Sequence, residues 1–211
     1  MKIMKQEVPR DFNLFLFGDD HEGTVLRYKE GWEKLVEMMN NPYGDLPETA
    51  NYGVDHGDIV EAICTDDKRY DATTTSLNVT KQIDQAVKNR LHIKDKLVCI
   101  LDGNHPSKLV NFGDITKDIC TKLGVQFGTW TARITYKTNS TRHFKHFAVH
   151  GIGGTINSKC DDERRRQNYM ELALKRKLRD KGGDTLLMSM GHTHKLLICD
   201  PINKLYLSDN G

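Results

Sequence analysis

The chain has 211 residues, 28% of them charged and 37% hydrophobic, with 31 basic side chains against 29 acidic ones. That length fits a single domain, 1–211, with a substantial core, and a formal charge of +2 gives no global basic field of the kind that gathers nucleic acid or membrane surfaces. The apolar runs are too short to span a bilayer, and Met1-Lys2-Ile3-Met4-Lys5-Gln6 has no signal-peptide core.

In chain order, residues 12–17 form a predicted strand that delivers Gly18-Asp19. Tyr28, Trp32, Leu35, Val36 and Met39 recur at helical spacing, and Asn40-Asn41-Pro42-Tyr43-Gly44-Asp45 ends that helix in a loop. A short strand over 52–55 leads into Gly57-Asp58. Thr73-Thr74-Thr75-Ser76 offers N-caps to a helix whose apolar stripe is Val79, Ile83, Val87 and Leu91. Residues 97–101 are wholly apolar, as in a strand covered on both faces, and end at Asp102-Gly103-Asn104-His105. Ile115, Ile119 and Leu123 mark another helix, stopped by Gly124. Residues 130–137 and 143–149 alternate as half-buried strands do, and the second ends at His150. A charged helix over 161–181 stops at Gly182-Gly183. Residues 186–190 are a last core strand ending at Gly191-His192, and 196–199 with 204–207 reads as a hairpin around Pro201-Ile202-Asn203. With no repeat, linker or low-complexity tract, the pattern is one α/β domain. Cys64, Cys99, Cys120, Cys160 and Cys199 are scattered and form no CxxC pair. They predict free thiols in a reducing cytoplasm and argue against a zinc-thiolate or disulfide framework.

Five strand ends carry Asp, Asn or His: Gly18-Asp19-Asp20-His21, Gly57-Asp58, Gly103-Asn104-His105, His150-Gly151 and Gly191-His192-Thr193-His194. Oxygen and imidazole ligands of this kind suit hard-to-borderline divalent metals, and functional groups in open α/β sheets gather beyond the carboxyl ends of the strands. Asp19 and His21 are two apart, as are His192 and His194, so each pair can turn towards one ion. Taken singly, each is a turn or core residue. Together they exceed what one ion needs and point to a two-metal hydrolase.

The order D-x-H, G-D, G-N-H, H, G-H-x-H resembles that of the calcineurin-like metallophosphoesterases over residues 15–198. Gly57-Asp58-Ile59-Val60-Glu61-Ala62-Ile63, Asp67-Lys68-Arg69-Tyr70-Asp71 and His150-Gly151-Ile152-Gly153-Gly154 are similar to the phage- and prophage-encoded members. The resemblance implies a four-layer α-β-β-α sandwich of two mixed sheets flanked by helices. It implies that Asp19, His21 and His194 hold one metal, that Asn104, His150 and His192 hold the other, and that Asp58 bridges them. Two divalent transition-metal ions, Mn foremost and Fe, Zn, Co or Ni as alternatives, would then clamp phosphate and acidify a bridging water whose hydroxide attacks phosphorus. His105 would contact phosphate or protonate the leaving oxygen.

Two departures bear on this. Pro106 follows Asn104-His105 where the family usually has an acid that could orient the histidine, while Glu61 does fill the place three residues after Asp58. The G-D-x-V-D-R-G string typical of Ser/Thr phosphoprotein phosphatases is absent. The reading therefore leans to phosphodiesters, with nucleic acid or a nucleotide as substrate. A phosphomonoesterase acting on protein or small molecules is the alternative, and a non-catalytic scaffold of the same fold is the other class. Lys68 and Arg69 could reach substrate phosphate or be a loop charge run. Arg164-Arg165-Arg166 and Lys175-Arg176-Lys177 read as a solvated helix face, with nucleic-acid backbone contact as the alternative. His56 is either a support for the metal ligands or a plain strand residue, and His143 and His146 read as surface groups. The oligomeric state is open, and the close of the chain after the last motif suggests a compact or shortened member.

Overall fold

Short apolar runs separated by amphipathic stretches fold as two sheets, seen in a computed structural model that describes residues 1–75, 78–151, 153–154, 156–179 and 181–200. The strands are β1 Lys2–Glu7, β2 Asn13–Phe17, β3 Asn51–Asp55, β4 Leu97–Ile100, β5 Thr131–Thr138, β6 Thr141–Val149 and β7 Leu187–Met190. The helices are α1 Lys29–Asn40, α2 Val79–Arg90, α3 Ile115–Leu123 and α4 Glu163–Leu178. One sheet has the order β2-β3-β4 and the other β1-β5-β6-β7.

The connections fix the strand directions. Chain that passes from β2 to β3 through α1, and from β3 to β4 through α2, returns to the same end before the next strand begins, so both pairings are parallel. Among the described strands only β5 and β6 are joined by a tight turn, closed by the Thr138–Thr141 pair with Asn139 at φ 53°, and only they pair antiparallel. The four-stranded sheet is therefore mixed, as expected, but the three-stranded sheet is wholly parallel.

Side-chain alternation then divides the core. Met4, Val54, Val98, Leu101, Ala132, Ile134, Tyr136 and Ala148 form one buried cluster drawn from strands of both sheets. On the other side of the three-stranded sheet, Phe15, Leu97 and Ile100 pack with Met39 of α1, Ala86 of α2 and Ile119 of α3. Phe147 and Val149 of β6 pack with Leu174 and Leu178 of α4.

Several boundaries differ from the sequence expectation. β1 is a strand that hydropathy does not announce, because only Met4 of its six residues is buried. The N-cap of α2 is Asn78, whose side chain accepts from the Lys81 N–H, and not the Thr73–Ser76 run. Asp162 caps α4 by accepting from the Arg165 N–H, so the helix is shorter than 161–181. Residues 196–199 carry no strand, and 204–207 lie outside the described residues. None of the five cysteines is in a disulfide. No helix among the described residues is long and apolar enough to cross a membrane.

Ile134 is fully buried in the cluster shared by the two sheets. Ile134→Ala is expected to lower unfolding free energy by about 2–5 kcal/mol in urea titration; an unchanged midpoint would contradict a shared core there.

Candidate metal centre

Because β2, β3 and β4 run parallel, their carboxyl ends lie together. The ladder continues past them: Asp19 N–H donates to Gly57 O at 2.8 Å, His21 N–H to Asp58 O at 2.9 Å and Leu101 N–H to Asp55 O at 2.8 Å. β6 and β7 are also parallel and end side by side, with Gly191 N–H on Val149 O at 3.2 Å. Two bonds join the strand ends of one sheet to those of the other. His192 N–H donates to Asp19 Oδ2 at 2.8 Å, and His150 Nδ1 donates to His56 O at 2.7 Å. All five sequence segments thus meet at one place.

Their backbone is unusual. Asp19 (φ 56°), His21 (φ 49°), Asp58 (φ 47°), His192 (φ 71°) and His194 (φ 50°) all lie in the left-handed region, which side-chain-bearing residues enter at a cost of order 1–3 kcal/mol each. Turns of this hand swing successive side chains inward at the strand ends. Glycine is required where the turns touch. Gly57 sits at φ 91° against Asp102 O, and a Cβ on Gly103 would overlap the Asp58 carboxylate.

The side chains converge on two adjacent groups. In the first, His21 Nε2 lies 3.1 Å from His194 Nε2, and His194 Nε2 lies 3.6 Å from Asp19 Oδ1. In the second, Asn104 Oδ1 lies 3.0 Å from His150 Nε2 and 2.7 Å from His192 Nδ1. Asp58 Oδ2 stands between them, 3.9 Å from His21 Nε2 and 3.3 Å from His150 Nε2. Donor atoms held about 2.1 Å from one ion lie about 3.0 Å apart at a right angle and about 3.4 Å apart at the tetrahedral angle, so these separations fit ions shared among the groups. Asp19, His21 and His194 form one set of ligand atoms that could hold a metal ion, and Asp58, His150 and His192 another.

Contacts on the far side of three of the four rings say which atom faces inward. His150 Nδ1 is committed to His56 O, and His192 Nε2 donates to Gly153 O at 2.6 Å. His21 Nδ1 lies 2.9 Å from Glu61 Oε2. Rings that are neutral in this orientation present lone pairs to one another and to the oxygens of Asp58 and Asn104, a repulsion that a metal ion, or a proton on the inward nitrogen, relieves. Outer partners that fix the tautomer in this manner are the usual support of metal-binding histidines. Burial would raise the Asp58 carboxyl, but in the metal-free site a protonated His150 and the His105 N–H outweigh it and hold the group at about 2, fully ionised near neutrality. His194 has a side chain 57% exposed, which opens the first group to solvent.

His105 is buried beside the cluster. Its Nδ1 donates to the backbone oxygen of Glu61 at 2.7 Å, with Glu61 Oε2 3.6 Å away. Glu61 thus orients His105. Arg69 Nη1 donates to His105 Nε2 at 2.8 Å, while Asp67 grips the rest of the Arg69 guanidinium and pairs with Lys108. Lys68 is exposed and makes no hydrogen bond or ion pair among the described residues, so only Arg69 of the two basic residues reaches the site.

His56 is a supporting residue. It lies buried with Nδ1 on Phe17 O and Nε2 2.6 Å from Ser189 Oγ, which His146 Nε2 also meets at 2.6 Å. His146 is fully buried, not a surface group: it shares its strand face with Phe144 and Ala148 of the inter-sheet cluster, whereas His143 is half-buried. Burial lowers His56 to about 4 and His146 to about 3, keeping both neutral.

Arg90, the last residue of α2, reaches beneath these loops with no exposure. Its Nε donates to Asp55 Oδ2 at 2.9 Å and its Nη1 to Asp20 Oδ2 at 3.2 Å, while Arg27 Nε donates to Asp20 Oδ1 at 2.6 Å. The guanidinium lies 4.6 Å from the Trp32 ring centroid. Sequence reading missed this support. Its one local signal was the acidic Asp20 lodged between Asp19 and His21.

The chain matches no protein-family model and no curated protein. The site therefore stands on its own geometry.

Replacing Arg90 with Met would leave Asp55 without its buried counter-charge and Asp20 with Arg27 alone. Arg90→Met is expected to cost about 3–5 kcal/mol in chemical denaturation, and a loss under one would show that the pair does not hold the loops.

Proposed function

We propose that the protein is a dinuclear metal-dependent hydrolase of phosphoesters, of the metallophosphoesterase type, with phosphodiesters as its main substrates. The observation that carries this reading is the placement of Asp58 Oδ2 between two groups of inward-facing lone pairs, 3.9 Å from His21 and 3.3 Å from His150. The burial of one cluster between the two sheets, with α1–α3 outside one sheet and α4 outside the other, supports the α-β-β-α layering.

Asp19, His21 and His194 would hold one ion and Asn104, His150 and His192 the other, with Asp58 shared. Nitrogen and oxygen donors without thiolate suit Mn, Fe, Zn, Co or Ni, with Mn the first choice. Two such cations supply charge neutralisation of the phosphate oxygens and a nucleophile from water at neutral pH. The protein's own residues do the rest. Glu61 O holds His105 Nδ1–H and so leaves Nε2 as the atom offered to substrate. Arg69, more exposed and carrying a planar fork of donors, suits phosphate oxygens. Its transfer from His105 to phosphate would place one group on the phosphate and free His105 Nε2 to take up a proton from water and pass it to the leaving oxygen. The absence of the phosphoprotein-phosphatase string favours diesters over phosphoprotein monoesters.

Two outcomes are expected. After loading with Mn²⁺ and removal of excess, wild-type protein should retain two equivalents by elemental analysis, and Asp58→Asn fewer than one while keeping its circular dichroism. Wild-type protein that retains no metal would favour a scaffold. His105→Asn should keep its metal and lose about 10²–10⁴ in kcat on an aryl phosphodiester. Metal-loaded wild type that turns over neither aryl phosphodiester nor aryl phosphomonoester would end the hydrolase reading.

A further inference from the structure

The outer face of α4 has a composition that its packing does not explain. Glu163–Leu178 carries six basic residues against two acidic ones, in a chain whose whole excess is +2. Met170, Leu174 and Leu178 turn inward. On the opposite face Arg165, Tyr169, Leu172 and Arg176 follow one another at spacings of four, three and four, which is a single stripe along a helix. All four are exposed, with Tyr169 at 56% and Leu172 at 50%.

A helix that merely needed a solvated face would pair its charges and keep its basic residues to the last turn, where three of the six, Lys175, Arg176 and Lys177, stand. Among the described residues, Arg164, Arg165, Arg166, Lys175 and Arg176 form no ion pair. Arg164, Arg165 and Arg166 stand in the first turn or just after it, where the helix dipole disfavours cations. An exposed tyrosine and leucine lie between the two arginines of the stripe.

The helix is also tied to the metal loops. Lys177 Nζ donates to Gly154 O at 2.7 Å, next to the Gly153 carbonyl that receives His192 Nε2. Lys195, which follows His194, reaches Asn157 Oδ1 at 3.0 Å and lies 3.8 Å from Met170 Sδ.

We infer that the outer face of α4 is a docking surface for a single-stranded nucleic acid, whose backbone phosphates meet Arg165 and Arg176 and one of whose bases stacks on Tyr169. This rests on the phosphoesterase reading above and names its substrate class. The two arginines are about 16 Å apart along the axis at 1.5 Å per residue, within the several nucleotides that one single-strand site covers. Unpaired cations interleaved with an aromatic face are the elements of such a site.

The test separates binding from chemistry. Affinity for a fluorescein-labelled DNA strand of about 16 nucleotides is measured by anisotropy in EDTA at rising salt, and turnover of an aryl phosphodiester is measured with Mn²⁺. The double variant Arg165→Glu/Arg176→Glu should bind the strand at least about tenfold more weakly and lose at least about 1.4 from the slope of log affinity against log salt. Tyr169→Ala should weaken binding at least about fivefold. Both variants should turn over the small diester as wild type does. Equal strand affinity in wild type and double variant, or tighter binding to phosphatidylglycerol vesicles than to the strand, would overturn the inference and leave the hydrolase reading intact. Stripe-dependent binding without diester turnover would uphold the surface and remove the hydrolase reading.

Discussion

One guanidinium joins the two loops on which the site is built. Asp55 closes β3 three residues before Asp58, and Asp20 lies between Asp19 and His21; Arg90 contacts both carboxylates from beneath. Without it, Asp55 would be a buried carboxylate with no cation, beside Asp20 held only by Arg27 and under a cluster that already contains Asp19 and Asp58, and like charges at such range separate unless they are compensated. Because the pair is buried and its partners are few, it sets a position more than it adds net stability. What it positions is the approach of the first two ligand segments.

The remaining order follows from that approach. Once Gly57-Asp58 is fixed against Gly18-Asp19, the cross-sheet bonds from His192 to Asp19 and from His150 to His56 can form. They bring the four-stranded sheet's ligands to the three-stranded sheet's. The neutral His56–Ser189–His146 chain fills the gap between the strand ends with uncharged hydrogen bonds, so no cation is placed behind the ligands where it would oppose a bound ion. Five left-handed ligand residues in one place are energetically unfavourable for the free chain. Strain concentrated on ligand residues, and absent from the apolar strands that lead to them, is what a site shaped for an occupant would contain.

The candidate ligand segments were legible in the sequence because each is local: an apolar run whose end carries Asp, Asn or His beside a glycine. The helices α1–α3 were legible for the same reason, through their stripes. What could not be read was what the segments do to one another. Arg90 looks like an ordinary basic residue at a helix end until α2 is packed beneath the loops. His146 reads as polar and exposed until strand parity turns it inward against Tyr136 and Ser189. Glu61 was visible as an acid in a motif, yet its backbone carbonyl orients His105 and its carboxylate faces His21. The wholly parallel three-stranded sheet depends on crossovers, and β1 on its partner β5, so neither has a local signature.

The central claim is that Asp58 is shared by two metal ions. Anomalous diffraction at the manganese edge from crystals grown with Mn²⁺ tests it most directly. The account requires two peaks about 3.5–4 Å apart, with Asp58 within bonding distance of both, His21 beside one and His150 beside the other. A single peak, or two peaks with Asp58 on only one of them, would contradict it.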